Sequence, residues 1–204
     1  MTIEIRVLQA LRLKGRAKAD MIASAAGLSE AEATPVLAAA QAAGHAEEAK
    51  DRFKLTPDGR AHLRGMIARE RSGVDQDALS AAYHEFDTHN SAFKQLVTDW
   101  QLKDGGTPND HTDADYDAKI VARLGELHTG FAPLVDRIVG LAPRLAHYPP
   151  RFADALAKVS AGDHGWLARP LIDSYHTVWF ELHEDLIGLL GLSRAEEAAA
   201  GRAE

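Results

Sequence analysis

Seven residues between positions 79 and 100 recur at alternating intervals of four and three, which is the spacing of one face of a long packed helix. They are Leu79, Tyr83, Phe86, Asn90, Phe93, Val97 and Trp100. Such a stripe has to be covered by other helices, because apolar side chains are stable where they are removed from water. The chain is therefore predicted to contain a helical bundle with one polar residue, Asn90, inside its seam.

Three further segments carry helical patterns. Residues 116–141 repeat the stripe, a short helix follows "HYPPR", and a last helix is predicted from about Leu167 to Leu190. Four such helices joined by loops form an antiparallel bundle. We therefore expect a mainly α protein in which residues 73–192 form an antiparallel four-helix-type bundle, followed by a tail at 193–204 that frays.

The last predicted helix carries two histidines on its apolar side. At 100° per residue, its apolar half comprises Leu171, Tyr175, Trp179, Leu182 and Leu186. His176 and His183 fall in the same half. The opposite half comprises Asp173, Thr177, Glu181, Glu184 and Asp185. The pattern predicts that both histidines point into the bundle and that the carboxylates face water.

Histidines on neighbouring helices, His89 and His128, also lie on inner faces, and three interpretations are open. The first is that these are core histidines, hydrogen-bonded to neighbours. The second is a small-molecule cavity whose lining comprises Tyr83, His89, Trp100, His128, Tyr175, His176, Trp179 and His183. The third is a metal site at His89, His128, His176 and His183, although no spacing among them marks a particular metal and no cofactor is required by the sequence.

The first seventy residues have a different organisation, with short helices ended by Gly15, Gly27 and Gly44. Ser29 and Glu32 form a Ser-x-x-Glu capping box that starts the third helix. Beyond Gly44 the period changes to two, as in a short strand, and "TPDGR" turns the chain into another helix. The order is helix, helix–turn–helix, strand and helix.

The segment "DRFKLTPDGRAHL" resembles the wing exit of the MarR and PadR transcriptional regulators, and the likeness covers residues 3–70. The resemblance implies a winged helix with a short β wing over residues 1–72. It also implies a regulator that binds double-stranded DNA as a homodimer. A helical domain placed after the wing is the layout of the PadR proteins.

The helix at 29–43, which a winged helix would place against DNA, has few residues that could read bases. Between Leu28 and Gly44 there is no Arg, Lys or Asn, and the polar candidates are Ser29, Thr34 and Gln41. The cations that could hold phosphates lie elsewhere, at Lys14, Arg16, Lys18, Lys50, Arg52 and Lys54. They could equally be a solvated rim. Residues 1–72 contain 12 Lys and Arg against 9 Asp and Glu, whereas residues 73–204 contain 11 against 21.

The composition excludes several functional classes. The absence of cysteine removes disulfides, thiolate metal sites and cysteine nucleophiles. The sequence contains no long apolar run, secretory signal or catalytic motif, so we expect a cytoplasmic protein that is not an enzyme and does not enter membranes. The favoured hypothesis is a winged-helix regulator whose bundle dimerises or senses a small-molecule effector. The alternative is a winged helix that docks a protein, joined to a ligand- or metal-binding bundle.

Overall fold

The computed structural model describes residues 2–103 and 106–199, and it is mainly helical with a small two-stranded sheet. This confirms the expected mainly α class. The chain divides into two compact units, Met1–Val74 and Asp75–Glu204. The division falls two residues beyond the predicted one.

The first unit contains four helices and a hairpin in its described part. Their bounds are α1 Thr2–Lys14, α2 Ala19–Ala26, α3 Glu30–Ala42, β1 Ala46–Ala49, β2 Arg52–Leu55 and α4 Pro57–Arg71. The strands pair antiparallel, with Ala46 opposite Leu55 and Ala49 opposite Arg52. Lys50 and Asp51 form the turn, and both have left-handed backbones, with φ of 53° and 57°. A two-residue turn of this kind matches the twist of its strands.

Local signals explain why these elements begin where they do. Ser29 and Glu32 form the predicted capping box at the start of α3. Thr56 caps α4 by accepting from the backbone N–H of Gly59, and its hydroxyl donates to the carbonyl of Gly44. A Cβ at Gly59 would collide with the backbone carbonyl of His45. The glycine of "TPDGR" is therefore required because α4 starts in contact with the chain that enters the hairpin.

The second unit is helical, with one very short hairpin. Its described elements are α5 Gln76–Gln101, β3 Leu102–Lys103, β4 Thr107–Pro108, α6 Ala114–Leu141, a 3-10 helix Pro143–His147, α7 Tyr148–Ser160, α8 Gly165–Ala168, α9 Tyr175–Leu190 and α10 Arg194–Ala199. All seven seam residues of α5 are buried, as predicted. The polar member, Asn90, accepts a hydrogen bond of 2.9 Å from the indole N–H of Trp179. The buried amide oxygen is therefore satisfied.

The prediction of one helix from Leu167 to Leu190 is wrong. Helix α8 ends at Ala168, and α9 begins only at Tyr175, capped by Ser174. Between them, Pro170 has no N–H to donate and its ring obstructs a preceding helical turn. Leu171, which the wheel placed in the apolar half, has a φ of 69° and is 81% exposed.

The prediction that the acidic side of α9 faces water is also wrong, because Glu181, Glu184 and Asp185 are all buried. The carboxylates of Glu181 and Asp185 find cations on the preceding segments. Arg144 lies 2.8 Å from Asp185, and Arg151 lies 2.6 Å from Glu181. Other segments of the unit therefore pack against the acidic side of α9 as well as against its apolar side.

Tyr148 completes the environment of Asp185 by donating a hydrogen bond of 2.6 Å to its second oxygen. Burial opposes ionisation of Asp185, but the charge of Arg144 and the hydrogen bonds from Arg144 and Tyr148 outweigh it. They hold the pKa of Asp185 below its ordinary value. The carboxylate is thus a fixed anion at the centre of the unit.

The segment predicted to fray contains α10, and Glu197 within it is 1% exposed. Arg194 pairs with Glu184 of α9, which ties the start of α10 to the unit. Residues 200–204, the remainder of that predicted tail, lie outside the described residues.

We predict that Asp185→Asn lowers the free energy of unfolding by about 3 kcal/mol, because it leaves the buried Arg144 without its counter-charge. Urea denaturation followed by circular dichroism measures this change. The control is Asp154→Asn, which breaks a surface pair with Lys158 and should cost under about 0.5 kcal/mol. Equal effects of the two substitutions would contradict the role assigned to the buried pair.

Because the carboxylate of Asp185 is buried in an ion pair, we predict that the free energy of unfolding falls in acid. Its pKa is lower in the folded state than the value of about 3.9 of an unfolded Asp. Its contribution is therefore complete above about pH 4 and disappears as pH falls through the folded pKa. Unfolding measured from pH 5 down to pH 2.5 should show a steeper loss for the wild type than for Asp185→Asn.

Candidate functional site

Four of the predicted DNA-binding cations converge on the hairpin turn of the first unit. Ala17 pairs with Phe53 through two backbone hydrogen bonds of 3.1 and 2.8 Å. This pairing brings the residues on either side of Ala17 to the hairpin. We call the resulting group the cationic turn; it comprises Arg16, Lys18, Lys50 and Arg52.

The members of the cationic turn differ in how they are paired. Arg16 donates to the carbonyl of Ala49 at 3.1 Å, and Lys18 lies 2.7 Å from Asp51. The hydrogen bond from Lys18 lowers the pKa of Asp51. Lys50 and Arg52 are exposed on either side of Asp51. Two cations at the tip of the turn are therefore presented to solvent.

The other two predicted cations lie at the margins of this group. Lys54 forms a cross-strand ion pair of 2.6 Å with Glu47, its partner in the strand register. Lys14 is the last residue of α1. Neither extends the exposed tip of the turn.

The polar candidates on α3 are engaged within the unit. Ser29 and Glu32 bind each other in the capping box, and these hydrogen bonds lower the pKa of Glu32. The hydroxyl of Thr34 donates to the carbonyl of Glu30 at 2.7 Å, and the amide of Gln41 donates to Glu48 at 3.3 Å. The remaining exposed positions of α3 are alanine, proline and glutamate: Glu30, Ala31, Pro35, Ala38, Ala39 and Ala42. This face offers little that could read bases.

In the second unit, much of the predicted ligand cluster is core. Phe93 stacks on Trp179 with ring centroids 4.4 Å apart, and Phe152 lies 5.0 Å from Tyr175. Tyr83, Tyr175 and Trp179 are all buried. These rings stabilise the unit by filling its interior.

Tyr83 and His183 form a buried polar group with the last helix. The hydroxyl of Tyr83 donates to Glu197 at 2.6 Å and lies 2.9 Å from Nε2 of His183. Because the single hydroxyl proton goes to the carboxylate, Nε2 of His183 has to donate. Burial lowers the pKa of His183. This histidine is therefore neutral and structural near pH 7.

Three of the eight predicted ligand residues meet at a pocket of about 300 Å³ beside α5, α9 and α10. They are His176, Trp179 and His183. His176 is exposed, 5.9 Å from the ring of Phe93, so the prediction that it points into the interior is wrong. His176 is the second residue of α9, so no earlier turn of this helix lies beside it, as a continuous helix from Leu167 would have supplied.

The remaining predicted residues lie elsewhere. His89 packs on Phe131, and His128 is hydrogen-bonded to the hydroxyl of Tyr175 at 3.2 Å. Burial lowers the pKa of His128. Trp100 packs against His111 at the other end of α5. Within residues 2–103 and 106–199, no three His, Asp or Glu side chains are grouped so that they could hold a metal.

The buried ionic group made by Arg144, Arg151, Glu181 and Asp185 was not predicted from the sequence. A signal was present for the acids: Glu181 and Asp185 are four residues apart, which places both on one side of a helix. It was overlooked because carboxylates on a helix are ordinarily solvated.

Searches of protein-family models, curated proteins and solved structures give no match to this chain. In the described part of the chain, no helix combines the length and apolar character needed to cross a bilayer. The chemistry of the cationic turn and of the helical unit is therefore what bears on function.

We predict that His183 makes folding sensitive to pH between about 7.5 and 5.5. Its pKa is lower in the folded state than the value of about 6.5 in the unfolded chain, so protonation favours unfolding. The contribution of His183 is complete above about pH 7.5 and is lost as the pH falls through 6.5 toward the lower folded pKa, by up to about 1.4 kcal/mol for each unit by which the pKa is lowered.

The test compares the wild type with His183→Gln by urea denaturation across this range. The variant should lose less stability as the pH falls. His84→Gln, at an exposed position of α5, is the control and should follow the wild type. A pH dependence that His183→Gln leaves unchanged would contradict the assignment.

Proposed function

We propose that this chain is a regulatory protein in which a winged-helix unit binds double-stranded DNA and a helical unit binds a small-molecule effector. The observation that carries the proposal is the convergence of Arg16, Lys18, Lys50 and Arg52 on one hairpin turn. Cations gathered at the tip of a short hairpin can hold a phosphate backbone. Scattered cations would not have supported this function.

The element order of the first unit supports the winged-helix assignment. Three helices are followed by a two-stranded hairpin and a fourth helix, and Ala17 adds one bridge to the edge strand at Phe53. The capped turn before α3 gives this part the form of a helix–turn–helix. On this proposal, the hairpin is the wing.

The proposed DNA contact depends on the backbone of DNA and little on its bases. Lys50 and Arg52 would contact phosphates, while the α3 face lacks the side chains for direct readout. Any preference among sequences would then come from DNA shape and deformability. Few phosphate contacts also imply a shallow dependence of affinity on salt.

The second unit supplies the regulatory part of the proposal. An effector bound there would change DNA binding only if it favours one conformation of the protein over another. We propose that the protein acts as a homodimer, in keeping with DNA sites that repeat a half-site.

We predict that Lys50→Gln with Arg52→Gln weakens binding to a 30-base-pair duplex at least about tenfold at low salt. The slope of log affinity against log salt should fall by nearly one for each phosphate that the variant no longer neutralises. Fluorescence anisotropy between 25 and 150 mM salt measures both quantities. Lys119→Gln with Arg137→Gln removes the same charge from the second unit and is the control.

Absence of a complex between the wild type and DNA at 25 mM salt would refute DNA binding. Equal weakening by the two double variants would show a dependence on net charge alone. Either result would remove the role proposed for the cationic turn.

A second candidate function is favoured by the exposed face of α3, which is alanine and glutamate where a DNA reader is polar and basic. Under this function the winged helix docks another protein. Small apolar side chains allow close approach of a partner surface, while Glu30 and Glu32 would repel phosphates.

The two functions predict different results for Ala38→Arg, which places a cation on the exposed face of α3. If α3 lies against DNA, the affinity for the duplex should rise and the salt slope should steepen. If α3 docks a protein, DNA affinity should stay unchanged. The control is Ala92→Arg, at an exposed position of α5, measured in the same anisotropy assay.

A further inference from the structure

A pocket of about 730 Å³ lies at the C-terminal end of α5 in the second unit. Its apolar wall comprises Trp100, Ala114, Ala118, Val121, Val159 and Ala168. Its polar lining residues are Gln101, His111, Asp117, Ser160, His164 and Arg169. A mostly apolar wall with a few polar groups is the usual form of a small-molecule site.

Arg169 is distinctive among the arginines of this unit. Each of the other arginines that the structure describes there pairs with a carboxylate: Arg123, Arg137, Arg144, Arg151 and Arg194. Arg169 has no carboxylate partner within the described residues. Its guanidinium packs over Gly165, where an added Cβ would lie 3.0 Å from Cζ. Arg169 is exposed, so the pocket has at its edge a cation that is in no ion pair of the described residues.

His111 is held at the pocket by a network of hydrogen bonds. Its Nδ1 lies 3.0 Å from Oδ2 of Asp117, which is 3% exposed. Asn109 donates to the other oxygen of Asp117 at 2.9 Å and to the carbonyl of Trp100 at 3.0 Å. A carboxylate only accepts, so Nδ1 of His111 donates and Nε2 remains for a ligand.

Backbone and ring contacts fix the same residue further. His111 has a φ of 59°, and its N–H donates to the side-chain oxygen of Asn109 at 3.1 Å. The Trp100 ring lies 4.3 Å from the His111 ring and 5.6 Å from the His164 ring. In the described residues, His164 makes no side-chain hydrogen bond. Two imidazoles and one guanidinium are thus available to the same pocket.

Charge decides which anion fits. Arg169 is the one Lys or Arg among the residues that line the pocket, and the carboxylate of Asp117 in the same lining already accepts hydrogen bonds from His111 and Asn109. A single carboxylate balances it with a bidentate hydrogen bond. A phosphate dianion would carry excess charge into a unit in which acids outnumber bases, 21 to 11 over residues 73–204. The rest of the ligand has to be apolar to cover the alanine and valine wall.

We propose that this pocket binds a small apolar monocarboxylate, with the carboxylate on Arg169 and with His111 and His164 as neighbouring hydrogen-bonding groups. The smaller pocket beside His176 is a weaker alternative, because its Arg194 already pairs with Glu184. This proposal specifies where the effector binds and to which chemical class it belongs. It rests on the proposed function only for its regulatory consequence, since binding itself requires no DNA.

Isothermal titration calorimetry of the full chain tests the assignment with 2-naphthoate and its neutral isostere 2-naphthamide. We expect 2-naphthoate to bind at one site per chain and the amide to bind at least about tenfold more weakly. Arg169→Gln should reduce the affinity for 2-naphthoate by at least about tenfold and leave the affinity for the amide nearly unchanged. The matched control is Arg123→Gln, which removes an arginine outside the pocket and should bind like the wild type.

A second variant locates the ligand independently of charge. Ala118→Trp fills the apolar wall and should abolish binding of both compounds while thermal unfolding shows a folded protein. No binding of 2-naphthoate at millimolar concentration would overturn the assignment. So would equal affinities for the acid and the amide, or an unchanged affinity in Arg169→Gln.

The calorimetric result is separable from the DNA assay. Binding of 2-naphthoate by a protein that fails to bind DNA would support this site and refute the regulatory function. DNA binding without any binding of 2-naphthoate would refute this site and leave the DNA contact standing.

Discussion

The second unit depends on the pairing of buried charges around α9. This helix carries Glu181 and Asp185 into the interior, where an unpaired carboxylate would be strongly destabilising. Arg144 at the 3-10 helix and Arg151 on α7 meet these two acids, and Arg194 on α10 meets Glu184. Each ion pair joins α9 to a different segment, so the three pairs connect α9 to the 3-10 helix, α7 and α10. Loss of one partner would leave an uncompensated buried charge, which is strongly destabilising.

Charged groups that are not in such an ion pair are the ones that can bind a ligand. Most described arginines of the helical unit pair with carboxylates, whereas Arg169 lines a pocket and is not in such a pair. In the first unit, Lys18 and Lys54 pair with acids, and Lys50 and Arg52 are left at the tip of the hairpin turn. A cation that is not in a close ion pair can bind an anion without first breaking such a pair. Both proposals, DNA phosphate at the turn and a carboxylate at Arg169, follow from this reasoning.

Patterns that act over a few residues were predictable from the sequence. The seam of α5, the capping box at Ser29 and the helix start at "TPDGR" each arise from neighbours along one segment. The break at Pro170 was also readable, since proline followed by the cap at Ser174 ends one helix and starts another. It was missed because the apolar spacing continues through it. The three interpretations of the inner histidines stayed open for a different reason: a helical wheel gives the direction of a side chain but not the identity of what lies there.

The amino-acid order by itself determined the helical character, the glycine- and proline-marked ends of most elements and the division near residue 73. Those properties depend on backbone conformation and on the period of apolar side chains, which are local. Only the tertiary structure decided that both sides of α9 are buried, that His176 is exposed and that Ala17 brings Arg16 and Lys18 to the hairpin. It also decided that His111, His164 and Arg169 share one pocket. These outcomes depend on contacts between residues that lie far apart along the chain, and no period within one segment encodes such a contact.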